Sequence, residues 1–388
     1  MKFKKIRHII VGTHRYLGLL VGIILIIVGL TGSLLVFENE IDDWAIQQQF
    51  GQVVIQEQVL SPAILIDRVK TAYAVGEASP LENRPNWQIG SLRMLSDQHI
   101  YRVQFDLPDD KQWEVLVNPY TGKIIGDRQR GIFTLILSLH YELLSGNIGI
   151  IIVGIAALFL CILTITGTIL WSGWRKLWLG FKINWKAHPI RVNYDLHKVV
   201  GIVTALFLGA IAFTGFCWNF YDYSTPAIYA ATFTPKPVEV KSTITPGQTT
   251  LEFADILTRS NLALPNAINT HINFPKKPED VFQIYKRVPG DSGDFDSYVK
   301  LDRYSGKILQ VQDSRTAKLG DRILSAFTPL HYGTFGGLLT RILYVFVGLA
   351  PLILFITGAK MFGLRKWGQA KQKEIKKLAI AAQREHHI

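Results

Sequence analysis

Four long apolar runs limit what this chain can fold into. A bilayer core needs about 20 consecutive apolar residues, and each run is long enough to span it, at roughly 14–37, 148–171, 198–220 and 338–359. The first run is not expected to be a cleaved signal peptide, because it is too long for a signal core and no small-x-small cleavage site precedes Phe37-Glu38-Asn39. The sequence therefore predicts a membrane α-helical protein with four transmembrane helices.

The distribution of charge predicts the topology. The chain carries 42 Lys and Arg against 30 Asp and Glu. Residues 1–16, 172–198 and 360–388 hold 19 of the basic residues and only 3 acidic ones, whereas the rest holds 23 basic and 27 acidic residues. Short basic segments stay in the cytoplasm, so both termini and the loop after the second span are expected there. This rule accounts for the basic residues, and no nucleic-acid partner is expected.

The first and third spans repeat one pattern. Both begin at a histidine, His14 and His197, and small residues follow at the same four offsets, 183 positions apart. At about 100° per residue these offsets fall within roughly 80° of the histidine's direction. Each helix therefore presents a smooth stripe below a histidine, which suits either a helix–helix seam or a seat for a planar cofactor. The stripe residues are Gly18, Gly22, Gly29 and Gly32 in one copy and Gly201, Ala205, Ala212 and Gly215 in the other.

The second and fourth spans also match each other. Leu139-His140-Tyr141 and Leu330-His331-Tyr332 precede them, and a Thr-Gly pair, Thr166-Gly167 or Thr357-Gly358, begins 26 residues after each histidine. The segments between spans share the turn Tyr-x-Gly-Lys-Ile, which begins at Tyr120 and again at Tyr304. We interpret the chain as an internal duplication in which each half is a span, a small α+β module and a span.

The two modules have modest local patterns. The first predicts a helix from Ser61 to about Val75 and strands at Trp87–Leu95, Ile100–Phe105 and Trp113–Val117. The second predicts a helix near Leu251–Leu262 and strands near Val281–Arg287 and Tyr298–Leu301. The expected segments are a cytoplasmic start and first helix at 1–37, a periplasmic module at 38–139, helices at 140–171 and 198–220 joined by a basic loop at 172–197, a second module at 221–330, a fourth helix at 331–359 and a basic tail at 360–388.

Four histidines fall into two pairs by depth. His14 and His197 begin helices that leave the cytoplasm, whereas His140 and His331 precede helices that return to it. One pair is therefore expected at each membrane face. Gly32 and Gly215 lie 18 residues beyond their histidines, about 27 Å along a helix. They should reach the depth of the outer pair and leave room there for a second flat group.

These histidines favour haem over other cofactors. Ionisable groups near a bilayer interior are costly and usually functional. Zinc fits poorly, because no third or fourth His, Cys or carboxylate accompanies either pair. Two imidazoles suit a haem iron, and such an iron has no vacant axial site, which favours electron transfer. The chain has no CxxCH, so attachment would be non-covalent, and Cys161 and Cys217 are interpreted as small buried thiols. Arg15, Lys198 and Arg341 are candidates to pair with propionates, or are ordinary boundary charges.

The histidine motifs resemble those of the PepSY-associated transmembrane helix family, over nearly the whole chain. The resemblance rests on His14-Arg15-Tyr16-Leu17-Gly18-Leu19, Leu196-His197-Lys198-Val199-Val200-Gly201, Leu139-His140 and Leu330-His331-Tyr332-Gly333. It implies four spans with two b-type haems, which the four histidines bind, and two periplasmic PepSY-like modules. It also implies an inner-membrane reductase of ferric siderophores from a Gram-negative bacterium. The chain departs from its own repeat at Glu142-Leu143-Leu144, where the other half has Gly333-Thr334-Phe335, so the two haem environments are expected to differ.

The expected partners follow from this interpretation. The chain shows no dinucleotide, P-loop or flavin signature, so its electrons must come from quinol or a cytoplasmic reductase. A ferric siderophore is the expected acceptor and the bilayer the surrounding medium. Two alternatives remain open. One is a di-haem quinone- or protein-linked oxidoreductase with another acceptor, and the other is a haem-free membrane anchor whose PepSY modules bind peptides or a protease.

The charge asymmetry generates a direct test of topology. Reporter fusions at Gly76 and Gly290 should give a periplasmic signal, and a fusion at Lys182 should give a cytoplasmic one, because the basic segments are retained inside. A cytoplasmic signal from the Gly76 fusion would reverse the assignment.

Overall fold

The computed structural model describes residues 2–75, 87–94, 100–106, 112–129, 132–244, 247–289, 293 and 296–385. The fusion sites Gly76 and Gly290 lie outside these residues. The chain divides into two compact units. A helical unit comprises Met1–Val36, Leu135–Thr225 and Phe327–Ile388, and a sheet unit comprises Phe37–Thr134 and Pro226–Ala326.

The described residues form eleven α-helices. The first six are α1 (Lys2–Leu35), α2 (Glu38–Phe50), α3 (Pro62–Val75), α4 (Ile132–Glu142), α5 (Gly146–Leu170) and α6 (Leu177–Phe181). The others are α7 (Pro189–Asn219), α8 (Tyr221–Ala231), α9 (Phe253–Ala263), α10 (Leu319–Tyr332) and α11 (Gly337–Glu385).

Four of these helices, α1, α5, α7 and α11, are long and apolar enough to cross a membrane. Each overlaps one of the predicted apolar runs, so the prediction of a membrane α-helical protein is confirmed. Helices α1 and α7 each pack against both α5 and α11. Part of the small-residue stripe is a helix seam, because a Cβ on Gly29 of α1 would collide with the backbone of Gly348 in α11.

Two short helices, α4 and α10, carry the second pair of histidines. His140 and His331 lie in their last turns, each before a long helix. After α10 the chain reverses at Gly333, whose φ of 72° is easily adopted by glycine. After α4 the reversal uses Leu143 and Leu144 instead, at φ 51° and 55°. The sequence departure after His140 is therefore a real conformational difference, since left-handed backbone is costly for leucine.

The sheet unit contains eight antiparallel strands in one sheet. They are β1 (Gln88–Arg93), β2 (Tyr101–Asp106), β3 (Gln112–Val117), β4 (Ile124–Gln129), β5 (Ile268–Asn273), β6 (Phe282–Arg287), β7 (Ser297–Leu301) and β8 (Ile308–Gln312). Their order is β4-β3-β2-β1-β5-β6-β7-β8. Five of these strands were predicted from the sequence, whereas β4, β5 and β8 were not. Two separate modules were also predicted, whereas β1 pairs with β5 and joins both segments into one sheet.

One face of the sheet packs against α3 and α9 and forms the main core of this unit. Leu65 and Ile66 of α3 and Ile256 of α9 are fully buried against Leu92 and Ile284 of the sheet. The predicted helices and the Gly-Lys turns lie where expected. Both turns close in the same way, because Gly122 N–H donates to Asn118 O at 2.8 Å and Gly306 N–H donates to Asp302 O at 2.9 Å.

The opposite face is covered in the first half by α2. Ile46 of α2 packs against Ile100 and Leu116, and the buried Arg102 forms an ion pair with Asp42 at 2.6 Å.

Lys286 makes the stability of the sheet unit depend on pH. This lysine of β6 is fully buried, and its Nζ donates to Asn261 Oδ1 at 2.7 Å and Asn269 Oδ1 at 2.8 Å. Burial lowers the pKa of Lys286 to about 8. The unfolded chain then binds more protons between about pH 8 and the ordinary lysine pKa of 10.5, so stability rises with pH across this window.

The matched variant is Lys286→Met, in which this contribution is absent. The unfolding temperature of the wild type should rise relative to that of Lys286→Met as the pH increases across that window. A constant difference over the same range would show that the lysine does not titrate with a lowered pKa.

Candidate functional site

The helical unit brings together the members of each predicted histidine pair. His14 of α1 and His197 of α7 have ring centroids 6.3 Å apart, with planes at 86°. His140 of α4 and His331 of α10 have centroids 6.2 Å apart, with planes at 80°. Each pair therefore takes one histidine from each half of the chain.

A threonine lies beside every one of these rings. The Nδ1 atom of each histidine is within hydrogen-bond distance of a threonine hydroxyl on a long helix. The four contacts are His14 with Thr166 at 2.9 Å, His197 with Thr357 at 2.8 Å, His140 with Thr31 at 3.1 Å and His331 with Thr214 at 2.8 Å.

The threonines determine which imidazole nitrogen carries the proton. Each threonine hydroxyl donates its single hydrogen to the carbonyl four residues earlier, at 2.7 Å for Thr31, Thr166 and Thr357 and 2.9 Å for Thr214. The hydroxyl oxygen must then accept from the histidine, so Nδ1 is the protonated nitrogen. For His140 the Val28 carbonyl at 2.9 Å requires the same tautomer. Nε2 keeps a lone pair in all four rings, which is the form that binds a metal ion.

A glycine after each threonine makes room for the ring. A Cβ on Gly32 would lie 2.9 Å from Cε1 of His140, and the corresponding distances are 3.1 Å for Gly167 and His14, 3.3 Å for Gly215 and His331, and 3.5 Å for Gly358 and His197. Gly32 and Gly215 were expected to leave space for a second flat group at the outer pair. They do lie at that pair, but the histidine rings themselves occupy the space next to them.

Sequence reasoning missed Thr31 and Thr214. It singled out Thr166-Gly167 and Thr357-Gly358 because these pairs repeat at a fixed distance from a histidine. The same dipeptide also stands at Thr31-Gly32 and Thr214-Gly215, on the other two spans. One Thr-Gly dipeptide on each span, for four histidines, is the signal that could have found the complete set.

The geometry of each pair fits an iron ion between two imidazoles. A bond between a metal ion and an imidazole nitrogen is about 2 Å, and the ring centroid lies roughly 1 Å farther back. Two such ligands place their centroids about 6 Å apart, which agrees with 6.3 and 6.2 Å. Among the described residues no group of three His, Cys, Asp or Glu could hold a metal ion. A two-ligand site suits an iron whose other ligands come from a macrocycle.

An apolar cavity of about 420 Å³ adjoins His14 and His197. This volume lies within the range of small-molecule and cofactor sites. Gly18 and Gly201 line the cavity, and a Cβ on either would lie 3.6 to 3.7 Å from a leucine side chain. The part of the stripe nearest the histidines therefore forms a cavity wall, whereas Gly29 belongs to the helix seam.

The candidate propionate partners differ in what they already bind. Arg15 lines the cavity together with Arg7 and Arg365. Lys198 also lines it, but its Nζ donates to Asp195 at 3.1 Å and to the carbonyls of Leu179 and Lys182. Lys198 therefore fixes the loop before α7. Arg341 donates to Val36 O at 2.6 Å. Arg15 is the candidate of the three that the cavity favours.

The His140–His331 pair has a different surrounding from the His14–His197 pair. The Trp218 ring lies 4.7 Å from that of His331, centroid to centroid, and Tyr344 donates to Leu330 O at 2.7 Å. An aromatic neighbour and a distinct chain reversal after His140 distinguish the two pairs.

Comparison with known proteins places the chain in a family. The family model described as PepSY-associated TM region matches residues 11–365, which include all four histidines. The chain therefore belongs to that family. No curated protein sequence matches it.

The threonine beside His331 provides a test of the histidine geometry. If the His140–His331 pair holds a haem, Thr214→Val should weaken that binding by roughly 10- to 100-fold, the usual effect of losing a partner that orients a ligand. The measurement is the haem content per chain after gel filtration, which should fall relative to the wild type.

Thr204→Val is the matched control. Thr204 is buried on the same helix, and its hydroxyl donates to Val200 O at 2.8 Å. Equal haem retention in Thr204→Val and Thr214→Val would contradict the orienting role of Thr214.

Proposed function

We propose that this member of the PepSY-associated transmembrane family is a di-haem inner-membrane protein that passes electrons across the membrane, reduces ferric siderophores in the periplasm and releases Fe(II). The observation that carries the proposal is the presence of two histidine pairs in which all four Nε2 atoms keep a lone pair that can bind a metal ion. His14 belongs to one pair, and Thr31 contacts His140 of the other. These two residues are 17 positions apart on α1, or about 25 Å along the helix. The pairs therefore lie at different depths.

The chain's own residues would hold each haem. His14 and His197 would bind one iron through Nε2, and His140 and His331 the other. The four threonines fix the rings, and the apolar wall around Gly18 and Gly201 keeps water from the inner site. Arg15 would attract a propionate. When bound by these residues, the haems would supply one-electron chemistry.

Reduction is a sensible way to release iron from a siderophore. Hard oxygen ligands hold Fe(III), and the softer Fe(II) is held less tightly. Each iron takes one electron, which quinol or a cytoplasmic reductase would provide. The charge distribution supports cytoplasmic termini and a periplasmic location for the segments between the first and second and the third and fourth spans.

The internal duplication is part of the proposal. Each pair takes a histidine from either half, and each half contributes four successive antiparallel strands to the sheet. A duplicated PepSY-like half that builds two equivalent sites explains both features.

Histidine variants separate the two ends of the protein. His331→Ala should lose the outer haem, because a lone imidazole holds the iron less well, and should keep the inner one. Periplasmic chelate reduction should then fail although half of the haem remains. His197→Ala should keep the outer haem but no longer receive electrons from the donor.

Both variants should be measured for haem content and for reoxidation by ferric chelate in oriented vesicles. His188→Ala is the control, because His188 caps α7, where its Nδ1 accepts from Ile190 N–H at 3.3 Å, and belongs to neither pair. Chelate reduction at the wild-type rate in His331→Ala would remove the main support for the mechanism.

A further inference from the structure

The sheet unit contains a polar groove of about 680 Å³ at the junction of its two halves. The groove lies on the sheet face opposite α3 and α9. Side chains of adjacent strand residues alternate between faces, so Leu92 and Ile272 enter the core while Arg93 and His271 line the groove. Its volume is within the usual range for a small-molecule site.

The floor of the groove is a single cross-strand row. Strand pairing places Ser91 opposite both Gln104 and Asn273, Asn273 opposite Gln283, and Gln283 opposite Lys300. Five neighbouring strands thus contribute five polar side chains to one line. The floor exists only because β1 pairs with β5, since that pair joins residues from the two halves of the chain.

The rim of the groove carries three basic and three acidic residues. Lys241, Lys276 and Lys277 line it, with Glu239, Glu279 and Asp280 as the acidic residues. The chain itself already uses some of this charge. Asp280 accepts from the backbone N–H groups of Lys276 and Lys277 at 3.1 and 2.8 Å, and Lys276 pairs with Asp106 at 2.5 Å.

Lys300 is the basic residue at the end of the floor row. It is half-buried, and its Nζ lies 5.3 Å from the centroid of the Tyr298 ring. Burial lowers the pKa of Lys300, and the nearby Glu239 acts in the opposite direction. An anion bound at this ammonium group would restore the interactions that burial removes.

We propose that this groove binds a polycarboxylate anion. Amide N–H groups of the floor and the Lys300 ammonium are donors that match carboxylate oxygens, and the five Lys and Arg residues outnumber the three acids that line the groove. The further assignment of the ligand as a carboxylate-bearing ferric chelate rests on the proposed function.

The test is calorimetric titration of the purified full chain with gallium(III) citrate, in which Ga(III) replaces Fe(III) and is not reduced during the titration. Lys300→Gln and Gln283→Glu should each weaken binding at least tenfold, and Lys300→Arg should restore most of it. Lys307→Gln is the matched control, because Lys307 is exposed on a turn of the same unit, and it should bind as wild type does.

The outcomes distinguish this site from the proposed reduction. If both Lys300→Gln and Gln283→Glu bind gallium citrate with wild-type affinity, the groove is not the binding site, whatever the reductase activity. Binding of a neutral gallium trihydroxamate by the wild type as tightly as gallium citrate would also contradict the anion site, because the neutral chelate has no carboxylate for Lys300. Citrate alone binding as tightly as gallium citrate would support the anion site and reject a chelate as its ligand. If the variants weaken binding as expected but the wild type does not reduce ferric citrate, the anion site is supported and the proposed function is contradicted.

Discussion

The hydrogen bond from histidine Nδ1 to a threonine hydroxyl fixes the orientation and the tautomer of the four paired imidazoles in the helical unit. One such bond contributes only about 1 kcal/mol to stability, but its direction decides which nitrogen keeps a lone pair. The threonine can accept because its own hydrogen is given to the helix backbone. The glycine that follows lets the ring approach the helix. A Thr-Gly dipeptide therefore fixes the position, rotation and protonation of an imidazole in an apolar environment, and the chain uses it four times.

The small-residue stripes serve two purposes along the same helix. Near His14 and His197 they border a cavity, and farther along α1 the stripe packs against α11 at Gly29 and Gly348. Close backbone contact holds helices together in a bilayer, where the hydrophobic effect does not. The same helices can then remain apart beside the histidines. The seam interpretation therefore applies to one part of the stripe, whereas the part near the histidines borders a cavity, where the cofactor seat stays a prediction.

Much of the helical unit was predictable from sequence, and much of the sheet unit was not. Span length and charge depend on local composition, and the duplicated histidines revealed their pairing because the halves could be compared. Thr31 and Thr214 each lie 17 residues beyond a histidine on their own helix. They were missed because the histidine that each contacts, His140 or His331, lies on a different helix. Strand β5 was missed because most residues of Ile268–Asn273 are polar. Two of them, His271 and Asn273, line the groove. The single sheet depends on Ser91 meeting Asn273, a pairing between distant segments that local patterns cannot show.

The central proposal is that each histidine pair would hold one haem iron. Electron paramagnetic resonance of the oxidised, purified wild-type chain, together with its haem content, tests it most directly. Two histidine pairs predict two haems per chain, both six-coordinate and low-spin. Because the paired imidazole planes stand at 86° and 80° to each other, the signal should be strongly anisotropic. A haem-free chain from haem-replete cells, or a high-spin signal from an iron with one histidine ligand, would contradict the account.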